Sequence, residues 1–197
     1  PLLSGGDTNL YSLFVERTTA LVSAPGIVGL LTPSGIAADK GASDFFRTLT
    51  DADEDGSARL AALFDFENRG NPGGSFFPDV DSRFKFCALI FGGDSRRFAQ
   101  SSCAFFLQDT AELADPARTM ALSSVDFRLV NPNTGAAPIF RSPRDAALTL
   151  HAYRAHPVLV DRSGGSEQRV WPVRYVRMFD MTNDSHRFLT REVLKKQ

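Results

Sequence analysis

The stretch 60–93, LAALFDFENRGNPGGSFFPDVDSRFKFCALIFGG, constrains the fold more than any other part of this chain. It reads as an apolar strand over 60–66, a connection, and a second apolar strand over 83–92. Apolar runs of that length bounded by turn signals are the pattern of buried strands. The connection from Phe66 to Phe84 has about seventeen residues and no helical periodicity, so the second strand is expected to return antiparallel to the first. Loops this long without secondary structure are uncommon and more often functional than not. Asn71-Pro72-Gly73-Gly74 should turn. A surface turn does not require the Phe76-Phe77-Pro78 that follows, so either both rings pack into the core or one lines a pocket and stacks on something flat.

The preceding segments read as the first part of an α/β sheet. Asp7 or Thr8 can cap a helix that starts near Asn9 and carries Leu10, Leu13, Phe14 and Leu21 at helical spacing until Pro25-Gly26 stops it. Residues 27–32, IVGLLT, are almost wholly apolar, as in a strand buried on both faces of a parallel sheet, and Gly29 would allow a neighbouring element to approach closely. The Thr32-Pro33-Ser34-Gly35 turn ends that strand at its carboxyl edge, where open α/β sheets bind ligands, though a plain strand-to-helix turn would look the same. A short helix over 44–49 carries Phe45, Phe46 and Leu49 on one side and can serve as a crossover to a parallel strand at 60–66. The acidic DADEDG at 51–56 lacks the ligand spacing of a calcium loop and reads as solvated.

After Gly93 the segments are shorter. Another apolar run, CAFFL, lies within 98–107, followed by a helical turn at 109–114, a strand fragment at 120–122 and a brief helix opened by a capping box from Ser123 to Asp126. Asn131-Pro132-Asn133-Thr134-Gly135 marks a turn, and Ser142 with Pro143 and Asp145 opens a helix to about Ala155. Residues 158–160 and 170–178 look like strands, and Thr182 or Asn183 like the cap of a last helix.

Charge divides along the chain. Residues 1–90 hold 7 Arg and Lys against 12 Asp and Glu, net -5, while 91–197 hold 15 against 11, net +4. A polyanion is therefore permitted on the second half and not required. Cys87 and Cys103 sit inside apolar runs, where cysteines behave as core residues, which favours a reduced, cytoplasmic setting. No stretch is apolar for long enough to cross a membrane, and the scattered His151, His156 and His186 give no metal spacing. No catalytic triad, metal cluster or phosphate loop can be assembled. Asp65, Glu67, Asp79 and Asp81 could supply an acid/base pair, but carboxylates at strand ends and in turns are usually solvated or capping.

The blocks NLYSLFVERTTALV, GIVGLLTPSGIAADKGASDFFRTL, LFDFENR and FFPDVDSRFKFCALIFGG, in that order, resemble the carboxyl-terminal half of the catalytic domain of adenine-specific DNA methyltransferases. The closer likeness is to the large restriction-modification and phage-defence enzymes in which a target recognition domain follows in the same polypeptide. VNPNTGAAPIFRSPRDAALTLHAYRAHPVLVDR and WPVRYVRMFDMTNDS resemble the linker between the two. The resemblance implies an α/β fold: a partial Rossmann-like methyltransferase sheet whose fifth, sixth and seventh strands are 27–32, 60–66 and 84–91, the last antiparallel. It divides the chain into 1–93, half of the methyltransferase domain, and 94–197, an α+β extension.

By the same resemblance Phe77, with Phe76 and Pro78, would stand against the flipped target adenine, and Pro33, Ser34 and Gly35 would approach the site of methyl transfer. Arg83, Lys85, Arg141 and Arg144 become candidates for the DNA backbone. The cofactor would be S-adenosylmethionine in the parent enzyme, bound by an upstream half, and the substrate double-stranded DNA. The chain departs from the family in having neither an Asn-Pro-Pro-Tyr loop nor a glycine-rich cofactor loop: Asn71-Pro72-Gly73 and Asn131-Pro132-Asn133 follow the wrong elements. The expectation is a fragment without catalytic residues of its own, inactive alone and able to self-associate through an unpaired edge of the fifth strand. The rival expectation is a self-contained DNA-binding or interaction module whose Phe76-Phe77 loop docks a partner.

Overall fold

The strands form here from apolar side chains, mostly Leu, Ala and Phe, that alternate across two faces, and most of the fully buried ones face the helices. The computed structural model describes Leu3 and residues 9–69 and 74–195. Asp7, Thr8 and the Asn71-Pro72-Gly73 turn lie outside the described residues. Five strands, β1 (Ile27–Pro33), β2 (Leu60–Glu67), β3 (Lys85–Gly92), β4 (Ser101–Leu107) and β5 (Met120–Leu122), make one mixed sheet in the order β1-β3-β2-β4-β5. β3 is antiparallel to both β1 and β2, so β1 and β2 run parallel with β3 between them. β2 pairs parallel with β4, and β4 antiparallel with β5. The antiparallel return expected from the long connection is therefore present.

Helix α1 (Leu10–Leu21) starts at Asn9, whose backbone is extended, and ends before Pro25. The short α2 (Gly35–Ala38) and α3 (Ser43–Thr50) link β1 to β2. α3 sends Phe45 edge-on to Phe91 of β3 at 6.3 Å and Phe46 to Phe127 at 6.0 Å. α4 (Ser124–Val130) opens with the capping box expected from Ser123 and Asp126, and α5 (Pro143–Ala155) with the Ser142 hydroxyl accepting from the Asp145 N–H. Val15, Ile36, Phe45, Phe46, Leu49, Phe127, Ala146 and Leu150 from these five helices meet Leu63, Cys87, Leu89, Phe91, Cys103 and Phe105 on one face of the sheet. Gly93, where the sequence reading divides the chain, lies between β3 and β4, and β4 continues the sheet beyond β2.

The other face is covered over only part of its width. Phe66, Ala104 and Leu107 are covered there by Phe76 from the long loop and Leu113 from the 3-10 turn Thr110–Ala114. Toward β1 the cover ends: Ile27 and Leu31 are 54% and 68% exposed. The buried strand expected over 27–32 is thus an edge strand with one face open. Gly29 has nothing within 4 Å of where a Cβ would stand, so no element makes the close approach expected of it. The leucines and phenylalanine at 10, 13, 14 and 21 of α1 are exposed as well.

Two expectations fail beyond α5. Residues 158–160 and 170–178 form no strand; the nearest feature is a single bridge between Asp161 and Gln168. Alternating apolar residues become a strand only beside an edge that can pair with them, and Val170, Tyr175 and Met178 stand exposed. Thr182 and Asn183 cap no helix. Their N–H groups donate to the Asp180 carboxylate in a turn, and Thr190 caps the short α6 (Arg191–Leu194).

Burial raises the Cys87 thiol to about 12, with the Asp65 charge adding to the effect, and burial alone raises Cys103 to about 12. Only thiolates attack disulfide reagents. Ellman's reagent at pH 8 should find no reactive thiol in the folded chain and two after denaturation; a thiol titrating at once in native buffer would contradict the burial of both.

Candidate functional site

The carboxyl ends of the parallel strands β1, β2 and β4 bring Pro33, Glu67 and Leu107 to one edge of the sheet, beside Lys85 at the start of β3. Ligand sites of open α/β sheets form at such an edge. A cleft of about 400 Å³ opens there, walled by Leu31, Thr32, Pro33, Phe77, Val80, Phe84 and Phe86, with Asn68 and Lys85 as its other polar residues. An adjoining hollow of about 320 Å³ shares Leu31, Phe77 and Phe86 and reaches Phe64, Phe66 and Leu113.

The two adjacent rings divide their roles. Phe76 packs edge-on to Phe66 and Phe86, at 5.5 and 5.2 Å, and fills the satellite core. Phe77 rests edge-on against Phe86 at 5.0 Å and remains 41% exposed over both hollows. Its loop is held by Asn68, a residue 1% exposed just past β2. The Asn68 amide donates to the carbonyls of Phe77 and Val80, both at 3.0 Å, and its Oδ1 accepts from the Phe77 N–H at 2.9 Å. Sequence reasoning missed this clamp; its only signal was a polar residue immediately after an apolar strand.

Behind the cleft lies a polar chain. The Ser34 hydroxyl donates to Asp65, and Lys85 Nζ lies 3.5 Å from the other Asp65 oxygen and 3.7 Å from Glu67. Burial opposes ionisation of Glu67, but the Gln108 amide, Arg69 and Lys85 outweigh it and hold its carboxyl below the ordinary 4.5. The stability this lends is present above pH 4.5 and is lost as pH falls through the lower folded value. With two neighbouring carboxylates Lys85 is charge-compensated. Arg83 is as well: it bonds Asp81 at 2.7 Å on the exposed loop, which raises the guanidinium and lowers the carboxyl.

Of the sequence-expected residues, the structure thus brings Phe77, Pro33 and Lys85 around one cleft, while Phe76 lines the adjoining hollow. Pro78 is exposed on the loop beyond it. Ser34 faces Asp65 instead, and Gly35 starts α2, where a Cβ would stand 2.3 Å from Asp39 Oδ2. Arg141 is near Lys85 through a shared ring, Phe106, and Arg144 is exposed on α5. Among the described residues no cluster of three or more His, Cys, Asp and Glu could hold a metal, and no helix is long and apolar enough to cross a membrane.

No family model matches this sequence, and no curated protein matches it. Among solved structures, the chain is similar to one in the cryoEM structure of the DrdV–DNA complex. That alignment covers 98% of this chain and 16% of that one, at 13% sequence identity and a TM-score of 0.34.

Proposed function

We propose that this chain is the carboxyl-terminal half of the catalytic domain of a DNA adenine-N6 methyltransferase, of restriction-modification or phage-defence type, together with the linker toward a target recognition domain. The observation that carries this reading is the Phe77 ring, fixed by Asn68 and Phe86 yet open to solvent, over an apolar cleft at the carboxyl edge of the sheet. An exposed, rigid aromatic face beside a slot of that size suits a flat heterocycle and holds an unpaired base by stacking. The strand polarities agree with the resemblance: β1 and β2 are parallel, as the fifth and sixth strands should be, and β3 is antiparallel, as the seventh should be.

Among the described residues the sheet is open on part of one face and the outer edge of β1 is unpaired, which fits the same reading, since sheets of this class are covered on both faces. In the proposed parent enzyme the flipped adenine presents its exocyclic nitrogen to the methyl donor, S-adenosylmethionine. The residues of this chain do not fit that cofactor: it has no glycine-rich loop and no Asn-Pro-Pro-Tyr. Its own part is to wall the base pocket with Phe77, Pro33 and Leu31, and methyl transfer by the purified chain alone is expected to be undetectable.

The test is fluorescence quenching of 2-aminopurine riboside, a base analogue whose emission falls on stacking. The chain should quench it, and Phe77→Ala should weaken binding by about tenfold, the magnitude of one base–aromatic stack. Quenching that survives Phe77→Ala unchanged, or no quenching by the parent sequence, would remove the base-pocket reading and favour a module whose exposed Phe77 docks an apolar side chain.

A further inference from the structure

β4 contains a bulge: Phe64 pairs with Ala104 but Phe66 with Leu107, so Phe105 and Phe106 together oppose Asp65. Phe106 there has φ 57°, a left-handed conformation that bulky L-residues rarely adopt, and it is the one non-glycine described with positive φ. A strained aromatic persists only where its surroundings over-determine it. Here Arg118 does so. Its guanidinium donates to the carbonyls of Phe105 and Phe106 at 3.1 and 3.0 Å and to that of Arg141 at 3.2 Å, while its Nε pairs with Glu112 at 2.9 Å.

The bulge sets the Phe106 ring against two cations, Lys85 Nζ at 4.1 Å and the Arg141 guanidinium at 4.6 Å from its centroid. Both charges therefore lie within about one Debye length at 0.1 M salt. Lys85 is neutralised by Asp65 and Glu67. Arg141 has no acidic partner and no acceptor for its guanidinium among the described residues, only the ring. Its N–H donors are consequently free, its position is restrained by Phe106, and its charge is the uncompensated one at this edge.

We propose that Arg141, seated on Phe106, is a phosphate-binding residue, and that Arg118 is the positioning residue that builds its seat. A guanidinium held in place offers a phosphate two parallel N–H bonds, a geometry an ammonium cannot match. That the phosphate belongs to a DNA backbone rests on the function proposed above; that the seat takes a phosphate does not.

The experiment follows the Arg141 side-chain Nε–H resonance of the ¹⁵N-labelled chain during two titrations, one with inorganic phosphate and one with a short DNA duplex. The expected result is a saturable shift with both, with the duplex tighter at low salt. Arg141→Gln, followed through the backbone amide resonances of Phe106 and Ser142, should lose the phosphate effect. Phe106→Gly, which relaxes the left-handed backbone and removes only the ring, should bind phosphate about threefold to fivefold more weakly, the worth of one exposed cation–π contact. Because that glycine suits the bulge, loss of binding in a variant that still melts cooperatively cannot be ascribed to unfolding. A shift with phosphate and none with duplex keeps the seat and defeats the DNA reading. Duplex binding that leaves Arg141 unmoved overturns the seat and spares the DNA reading. Phosphate affinity unchanged in Phe106→Gly overturns the proposal outright.

Discussion

Phe86→Ala is expected to lower the stability of this chain by about 3 kcal/mol, the cost of deleting a well-packed aromatic together with its ring contacts. Phe86 is the ring on which the others of the satellite core rest. Its cross-strand partner Phe66 stacks on it at 5.2 Å and 10°, and Phe76 and Phe77 meet it edge-on at 5.2 and 5.0 Å. Among the described residues no α-helix lies on this face to close over the space left behind, which only the Phe76 loop and the 3-10 turn Thr110–Ala114 border. Phe77→Ala, by contrast, removes a ring that is 41% exposed and makes one described ring–ring contact, and should cost about 1 kcal/mol. Urea unfolding of the two variants checks the pair. In a chain of this length the larger loss corresponds to a melting shift of about 10 °C. If the two variants proved equally stable, Phe86 would be no more central than Phe77, and the cleft would lack the rigid wall on which the base-pocket reading depends.

The pairing of β2 with β3 was legible because seventeen intervening residues without helical pattern leave a returning strand as the simple solution. That β3 inserts between β1 and β2 was not, since pattern along a chain carries no record of which edge a strand selects. The failure at 170–178 has the same cause: the residues have strand propensity, but they pair with neither outer strand of the sheet. Local chemistry was read better than neighbours were. The caps at Ser123 and Ser142 need only residues three apart and stand as expected. In Phe76-Phe77, adjacency alone could not decide which ring goes inward, because the loop has no period. The left-handed Phe106 had no sign in the sequence either: its conformation is imposed by Arg118, twelve residues on, and a bulge against β2.

Asn68→Ala should cost about 3 kcal/mol, one hydrogen bond's net worth for each of three bonds lost, and should do more damage to the cleft than to the core. The Asn68 side chain is the sole described link between the end of β2 and the backbone of Phe77 and Val80, and it uses both its donor and its acceptor ends to make it. Without it the Phe77 ring keeps its contact with Phe86 but loses its fixed height over the cleft. Quenching of 2-aminopurine riboside should then fall nearly as far as in Phe77→Ala, although the ring is still present. Asn68→Asp separates the two ends. Its carboxylate can accept from the Phe77 N–H but faces two carbonyl oxygens, so at neutral pH it should be at least as destabilising as alanine. Protonation supplies a donor to one of those carbonyls, and the variant should regain part of its stability relative to alanine as pH falls. Hydrogen exchange at the Phe77 amide reads the clamp directly: protection in the parent chain, loss in Asn68→Ala, and partial retention in Asn68→Asp. An amide equally protected in all three would mean that the loop is held by its aromatic contacts alone, and Phe77 would then owe its place to Phe86 and not to Asn68.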